Sequence, residues 1–364
     1  METETILSLL TDSKEELYYK AKEKKEDFYG NIVTFSRNVF VPVTHQCRNR
    51  CGYCGFVSDD SSSWIIPEKY LMLLEKAKKV SCKEILLTLG EKPEEKYHTA
   101  RDFLKKQGFE STVNYVNFFC ELALENQLLP HSNLGILSFE ELNLLKEVNA
   151  SMGLMLETIS MRLMNEGNPH FFSPGKNPFL RLEVLYNAGK LKIPFTTGIL
   201  IGIGETWEER IESLQEIRKI YLKYGNIQEV IIQNFNPQLN TPMSNYPPTS
   251  NEEILLTVSI ARVLLPLPVS IQIPPNLNKE IIIQALDSGA NDFGGISPIT
   301  IDFINPNMRW QEEKELDKQL LESNYELKQR LPVYPSYEKY LNQRIREIVE
   351  EYYRNEKNLY TYNR

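Results

Sequence analysis

The amino-acid sequence predicts an α/β protein, a (β/α)8-like TIM barrel with N- and C-terminal helical extensions. Short apolar runs alternate with amphipathic stretches along most of the chain, a pattern typical of parallel βα units. The 364 residues suit one such barrel. Groups of cysteine, glycine and polar residues directly follow several of the apolar runs, and TIM barrels place their active sites at the carboxyl ends of the strands.

The elements can be assigned in order from apolar runs and helix signals. The predicted strands lie at residues 30–44, 84–89, 134–137, 153–157, 193–201, 229–233, 269–273 and 291–293. The main helices between them start at Pro67 and then cover residues 112–127, 139–148, 179–188, 206–224, 250–265 and 278–287. Thr206, Ser250 and Asn278 are residue types that cap helix starts, and Gly189 is placed to end the fourth of these helices.

Three units follow from this assignment. Residues 1–30 are predicted to be an N-terminal helical extension, residues 31–307 the barrel, and residues 308–364 C-terminal helices that pack on the barrel. The tail is interpreted as two charged helices because apolar residues are sparse in it.

Composition excludes several classes of protein. The net charge of −8 and the pI of about 5.4 argue against a general nucleic-acid binder, which would be basic. We find no run of 18 apolar residues and no signal-peptide core, so neither a membrane span nor export is expected. Five cysteines, three of them clustered, indicate a reducing compartment, here the cytoplasm, and a metal site instead of disulfides.

Cys47, Cys51 and Cys54 form a C-x3-C-x2-C group directly after the first strand. Three thiolates on one loop can hold three corners of an iron–sulfur cube and leave the fourth iron open for another ligand. The alternatives are a zinc site and unrelated buried cysteines. His45 is a possible fourth zinc ligand, but it lies two residues from Cys47 and would form a cramped chelate.

This spacing, with an aromatic residue before the last cysteine, resembles the radical S-adenosyl-L-methionine (SAM) superfamily. The resemblance implies a 4Fe-4S cluster held by the three cysteines and SAM, an electron donor for the cluster, and a 5′-deoxyadenosyl radical. It also places Tyr53 near the SAM adenine.

Further motifs match the SAM site of that superfamily. Gly90 and Glu91 follow the second strand, where a carboxylate can accept hydrogen bonds from the SAM ammonium. Glu157 ends the fourth strand and is a candidate for the ribose hydroxyls. Gly202 lies in a glycine-rich stretch after the fifth strand, which in the superfamily packs against adenine. Each also has a plain interpretation, as an ordinary turn or a solvated acid at a strand end.

Three polar residues at later strands are candidate substrate contacts. Gln233 and Asn234 end the sixth strand, and Asp292 lies in the polar segment near the eighth. Turn chemistry and a simple loop are the alternative explanations, because asparagine and proline favour turns anyway. Nothing in the sequence identifies a general acid or base, so the catalytic residues stay unknown.

Several stretches together resemble one narrower family, 7,8-didemethyl-8-hydroxy-5-deazariboflavin synthase subunit 1. They are residues 36–42, 47–54, 87–94, 153–157, 233–235 and 292–298. Two departures are a phenylalanine at position 293, where tryptophan is expected, and residues 236–239, where the family often has a basic residue. The resemblance implies ammonia-releasing closure of a deazaflavin ring in coenzyme F-420 biosynthesis, and a second radical SAM subunit that makes the substrate.

Three rival interpretations remain. The chain could be that second subunit, although a different closing segment would then be expected. A sulfur-inserting enzyme needs a second cluster, and only Cys82 and Cys120 remain to hold one. A non-catalytic iron–sulfur or zinc scaffold would not need polar motifs at so many strand ends.

Overall fold

The computed structural model describes residues 3–361. Its centre is a closed barrel of eight parallel strands, which confirms the predicted fold class. The strands are β1 (Ile32–Pro42), β2 (Glu84–Thr88), β3 (Leu129–Asn133), β4 (Ser151–Gly153), β5 (Phe195–Ile201), β6 (Ile227–Asn234), β7 (Ser270–Gln272) and β8 (Asp292–Ile296). Each pairs with the next in chain order, and β1 pairs with both β2 and β8, so all carboxyl ends meet at one rim.

Helices lie between the strands along the chain and also precede and follow the barrel in sequence. They are α1 (Thr3–Asp12), α2 (Lys14–Tyr29), α3 (Pro67–Lys79), α4 (His98–Gln107), α5 (Thr112–Glu125), α6 (Phe139–Lys146), α7 (Pro178–Lys190), α8 (Trp207–Tyr224), α9 (Asn251–Leu264), α10 (Ile282–Asp287), α11 (Glu313–Glu322) and α12 (Gln343–Asn355). Within residues 3–361, no helix is long and apolar enough to cross a lipid bilayer.

The helix signals were mostly correct. Thr206 and Ser250 each form a capping box at the start of their helices, in which the cap hydroxyl and a glutamate three residues later satisfy two free backbone N–H groups. Asn278 makes no side-chain cap bond, because a short 3₁₀ turn precedes α10. Gly189 does not end α7, which continues to Lys190, and α4 was not predicted.

The third and fourth strands differ from the prediction. β3 lies before residues 134–137, and its own sequence, LPHSN, carries polar side chains. The search for apolar runs missed this strand because its buried residues His131 and Ser132 are polar. Their hydrogen-bond partners, which make the burial possible, are not evident from the sequence. β4 ends at Gly153, and Glu157 rejoins the sheet through one isolated bridge to Ile199.

The C-terminal tail contains a ninth strand, which the prediction of two helices missed. β9 (Glu326–Arg330) runs parallel to β1, pairing with Ile32–Ser36 at the amino end of the barrel. Its sequence, ELKQR, is charged and only half buried, so it lacks the apolar alternation by which strands are recognised.

The interior of the amino end of the barrel is polar and charged. Arg330, at the end of β9, donates to both oxygens of Asp292 over 2.6 and 2.8 Å, and to Glu229 over 2.8 Å. Burial raises the pKa of Glu229. Burial alone would also raise the pKa of Asp292, but the positive charge of Arg330 outweighs this effect and holds the Asp292 pKa below its ordinary value. Asp292 therefore has a structural role at the closed end of the barrel, and its prediction as a substrate contact is corrected.

We expect Arg330→Met to destabilise the protein strongly. It leaves two buried carboxylates without their cation, and breaking such a pair costs about 3–5 kcal/mol. Arg344→Ala is the matched control, because the Arg344–Glu121 pair is exposed and worth at most about 1 kcal/mol. Urea unfolding followed by circular dichroism measures both; equal losses in the two variants would contradict the assignment.

Candidate active site

A cavity of about 370 Å³ opens at the carboxyl ends of the strands. Most of the predicted site residues line it: Cys47, Cys51, Tyr53, Cys54, Gly90, Glu91, Glu157, Gln233 and Asn234. Gly202 and Asp292 do not. Segments far apart in the chain therefore meet in one space, as expected for a barrel of this class.

The cysteine loop follows β1 and is held by the segment that follows β2. The backbone N–H of Gly90 donates to the Thr44 carbonyl over 3.0 Å, and that of Glu91 donates to the Cys47 sulfur over 3.2 Å. A Cβ atom on Gly90 would lie 2.0 Å from the Gln46 carbonyl oxygen, so the loop can approach β2 only because this residue is glycine. Glycine is therefore required at position 90 for a steric reason, the close packing of the cysteine loop.

The three cysteines lie on one loop and line the cavity. Burial raises the pKa of Cys47, and it raises that of Cys54 to about 12, so a positive charge nearby, such as that of a metal, would favour their thiolates. Three thiolates can each bind one iron of a cluster.

His45 is turned away from a ligand role. Its Nδ1 atom lies 2.8 Å from the Phe56 carbonyl oxygen, and its ring packs against the Phe56 ring. The histidine therefore fastens the two ends of the cysteine loop to each other.

Glu91 is bound by Arg48, and the backbones of two glycines lie against its carboxylate. Arg48 donates to its Oε1 atom through Nε and Nη2, over 2.8 and 2.6 Å. Cβ atoms on Gly135 and Gly175 would lie 2.3 and 1.8 Å from the carboxylate oxygens, so both backbones pass directly against it. The Glu91 carboxylate is consequently held in one place on the cavity wall.

Glu157 is paired with two cations that the sequence analysis did not assign. Lys176 donates to its carboxylate, and the Arg181 guanidinium lies 3.6 Å away. Burial alone would raise the pKa of Glu157, but these two charges outweigh it and hold the pKa below the ordinary value. Glu157 also adopts a left-handed backbone, with φ of +65°, which is unusual for a residue with a side chain and marks a constrained position.

Tyr53 is positioned by His170, another residue that the sequence analysis missed. The tyrosine hydroxyl lies 3.0 Å from the Nε2 atom of His170, and its ring packs on a cluster that includes Leu200 and Phe235. Burial and the nearby charge of Lys176 lower the pKa of His170 to about 3, so the imidazole is neutral. No local motif connects these residues, because 117 positions separate them in the chain.

Gly202 shapes the turn after β5 and does not reach the cavity. Its φ is +89°, and a Cβ atom would lie 2.2 Å from the Thr249 hydroxyl oxygen. The Glu205 carboxylate accepts from the backbone N–H groups of Gly202 and Ile203 over 2.8 and 2.9 Å. Gly202 therefore determines the shape of the turn after β5. Leu200, near the end of β5, is the residue of this stretch that lines the cavity.

The polar residues that line the cavity from β6 onward are mainly neutral amides. Gln233 and Asn234 lie at the end of β6, and Asn234 Oδ1 accepts from Asn278 Nδ2 over 3.0 Å. Asn236, from the same polar stretch, also lines the cavity. The sequence analysis did not identify the other polar members of this group as site residues: Gln238, Gln272, Asn276, Asp302 and Asn305. Gln272 ends β7, and the others come from loops whose composition resembles ordinary turns, so only their grouping in space identifies them.

Comparison with known proteins assigns the family. The Radical SAM superfamily model matches residues 41–217. The 7,8-didemethyl-8-hydroxy-5-deazariboflavin synthase of Methanopyrus kandleri is 47% identical over 325 residues, which cover 88% of this chain and 97% of the relative. That of Methanocaldococcus jannaschii is 45% identical over 351 residues, covering 95% and 97%. The chain belongs to the 7,8-didemethyl-8-hydroxy-5-deazariboflavin synthase family.

Solved structures support the fold of this synthase family. Methylornithine synthase (PylB) aligns with a TM-score of 0.70 at 20% identity, over 90% of this chain and 94% of that one. HydG, a maturase of the [FeFe]-hydrogenase, aligns with a TM-score of 0.73 at 17% identity, over 90% and 73%. Membership of the synthase family makes the chain a radical SAM enzyme, for which a 4Fe-4S cluster and SAM are implied.

The sequence predicts Glu91 as an acceptor for the SAM ammonium, and on that prediction Gly175→Ala should weaken SAM binding, because the added methyl group displaces the Glu91 carboxylate. Loss of a hydrogen bond to a charged group corresponds to roughly a tenfold or larger rise in the dissociation constant. The measurement is equilibrium dialysis of SAM against the cluster-loaded protein without oxygen. Gly108→Ala is the control: its φ of +83° makes the change strained, but it lies at the end of α4 with open space around it. Wild-type affinity in Gly175→Ala would refute the role of Glu91.

Proposed function

We propose that this chain forms the deazaflavin ring of 7,8-didemethyl-8-hydroxy-5-deazariboflavin, with release of ammonia, in coenzyme F-420 biosynthesis. The substrate would be 5-amino-5-(4-hydroxybenzyl)-6-(D-ribitylimino)-5,6-dihydrouracil. The observation that carries the proposal is the meeting of the cysteine group and the paired charges in one cavity, in a chain that is nearly half identical to named synthases over almost their whole length.

The cofactor roles follow from the residues at the cysteine side of the cavity. Cys47, Cys51 and Cys54 would bind three irons of the cluster and leave the fourth iron to SAM. When bound, the cluster and SAM supply a 5′-deoxyadenosyl radical, which removes hydrogen from the substrate. The Tyr53 ring would lie against the adenine.

The charges of this side suit the amino-acid part of SAM, which carries an ammonium and a carboxylate. Glu91 and Glu157 supply negative charge, and Lys176 and Arg181 supply positive charge, all on the cavity wall. Opposite charges fixed in a buried site bind a zwitterion without leaving either of its ends unpaired. Glu91 would then accept from the ammonium, and Glu157 from the ribose hydroxyls.

The remaining steps would occur on the substrate itself. The carbon radical would attack the aromatic ring, ammonia would leave, and the cyclised radical would lose one electron and one proton to give the deazaflavin. SAM, converted to 5′-deoxyadenosine and methionine, would be the net two-electron oxidant. The loss of ammonia makes the chain a carbon–nitrogen lyase. An electron donor would reduce the cluster, and a second radical SAM subunit would supply the substrate. These partners are expected in the cytoplasm.

Removal of individual cysteines tests the cluster. We expect Cys47→Ala, Cys51→Ala and Cys54→Ala each to lower bound iron and sulfide and to abolish 5′-deoxyadenosine formation, because three thiolates are needed to hold the cluster. Cys120→Ala and Cys82→Ala are matched controls, since both residues are buried away from the cavity. Full iron content in any variant of the first group would remove that cysteine from the ligand set.

The reaction is tested without oxygen on the reconstituted, reduced chain. We expect added SAM and the hydroxybenzyl–ribitylaminouracil adduct to give 5′-deoxyadenosine together with a fluorescent deazaflavin. Deoxyadenosine without deazaflavin would keep the radical SAM chemistry and reject this substrate, and would point to a related role such as that of the second subunit. Neither product, from a chain with a full cluster, would favour a scaffold.

A further inference from the structure

The cavity extends into the interior of the barrel. Each of the eight strands contributes at least one residue to its lining, from Phe40 on β1 to Gly295 on β8. Ile231, which pairs with Gln272, lies three residues before the end of β6, so the lining reaches roughly 10 Å into the barrel from that end. TIM barrels normally fill this space with side chains, so an opening here provides room for a ligand.

The part of the cavity that is lined by strand residues, which we call the barrel chamber, has no charge on its lining. Among the described residues, none that lines the chamber is ionisable. Its apolar members include Phe40, Leu86 and Ile231. Its polar members are Thr88, Asn133, Thr196, Gln233, Asn234 and Gln272. The chamber therefore offers apolar contacts and neutral hydrogen bonds to a ligand.

Two glutamines of this lining point into the barrel. Gln233 and Gln272 are half-buried and line the cavity, whereas their neighbours Ile232 and Ile271 are fully buried in the hydrophobic core and do not line it. Successive residues of a strand point to opposite faces of the sheet. Because the sheet is closed, the exposed part of each glutamine faces the chamber.

The amide groups of both glutamines are free and accessible. Within residues 3–361, neither side chain makes a hydrogen bond. Their amide atoms are also absent from the polar atoms of that range that are fully buried without a partner, so they keep accessible surface. Polar groups inside a protein are normally hydrogen-bonded. Free donors and acceptors in a partly apolar chamber therefore indicate a ligand that pairs with them.

The two amides lie close enough to contact one ligand. Gln272 pairs with Ile231, so Gln233 lies one strand and two residues away on the same face, a backbone separation of about 8 Å. The Gln272 amide is held against a backbone: a Cβ atom on Gly294 would lie 2.2 Å from Gln272 Nε2. A flat group of the size of one heterocycle can therefore contact both side chains.

We propose that Gln233 and Gln272 bind the uracil ring of the substrate, a neutral heterocycle with neighbouring N–H and C=O groups. The inference rests on the proposed function and names the part of the substrate that lies inside the barrel. Each glutamine amide has an acceptor oxygen and two donor N–H groups, so the pair can serve both kinds of ring group. Gln233 was a candidate from the sequence, whereas Gln272 was not.

The lining of the chamber favours the ring over other parts of the ligands. A flat ring places its faces against apolar side chains such as Phe40 and Leu86 and its polar edge against the amides. The ribityl chain carries hydroxyls along its whole length, and those beside apolar side chains would lose their hydrogen bonds to water. The charged amino-acid part of SAM would find no opposite charge there.

The test is direct binding to the cluster-loaded full-length protein, without oxygen. The probes are the fluorescent deazaflavin product, its 10-methyl analogue, which has a methyl group in place of the ribityl chain, and SAM. We expect Gln233→Met and Gln272→Met each to raise the dissociation constants of the product and of the 10-methyl analogue about five- to tenfold, the effect of one lost hydrogen bond to a neutral group. Fluorescence titration measures both probes without turnover, and equilibrium dialysis measures SAM, whose affinity should not change.

A matched control comes from the same chain. Gln329→Met makes the same change in a half-buried glutamine of β9 that does not line the cavity and whose Nε2 atom also lacks a partner in the described chain. It should bind every probe like the wild type. Methionine keeps the length of glutamine, and neither chamber glutamine bonds to the protein, so the urea midpoints of both variants should stay at the wild-type value.

The outcomes separate this proposal from the one on which it rests. Weaker binding of the product and of the 10-methyl analogue in both variants supports it. Weaker binding of the product alone assigns the pair to the ribityl chain, and weaker binding of SAM assigns it to the cofactor; either result overturns the proposal. Wild-type affinity for all probes overturns it and leaves the proposed function intact. No saturable binding of the product by the wild-type protein would overturn both.

Discussion

The buried guanidinium of Arg330 is the interaction on which the amino end of the barrel depends. TIM barrels usually fill their interiors with bulky aliphatic side chains, whereas this one carries carboxylates there. Asp292 and Glu229 come from β8 and β6, and the cation that pairs with both comes from the C-terminal tail. The tail therefore neutralises the charges inside the barrel. A charge that deep is tolerated only when it is paired and hydrogen-bonded. This explains why a short polar strand, β9, is held beside β1.

Close backbone approach organises the opposite end of the barrel. Gly90 lets the cysteine loop lie on the end of β2, and Gly135 and Gly175 let two further segments pass against the Glu91 carboxylate. A side chain at Gly90 would collide with the Gln46 backbone, whereas one at Gly135 or Gly175 would displace the Glu91 carboxylate. The same packing brings Lys176 to Glu157.

The cavity that results is lined by different chemical groups at different strands. Charged side chains of both signs line it in the segments after β2 and β4, where their pairing lowers the cost of burying them. The polar lining residues from β6 onward are mainly neutral amides. A barrel brings such different groups together because each strand contributes its own end and loop to one part of the rim.

The sequence by itself determined whatever depends on neighbouring residues. Cysteine spacing, apolar runs and capping residues act over a few positions, so the fold class, the cysteine group and the start of α8 could be predicted from them. Most of the residues predicted for the SAM site also lie at the cavity, because strand ends converge in any closed parallel barrel. The family resemblance added the remaining functional expectations.

Only the tertiary structure decided which distant groups meet. His170 contacts Tyr53 across 117 positions, and Arg330 reaches Glu229 across 101. Asp292 looked like a residue of the rim, yet β8 begins with it, so it belongs to the other end of the barrel. Polar residues such as Asn276 and Asp302 resemble turn formers in sequence and line one cavity only when their loops fold together. Hydrogen bonds and ion pairs between distant segments leave no local pattern, because their partners are fixed by the closed sheet and not by spacing along the chain.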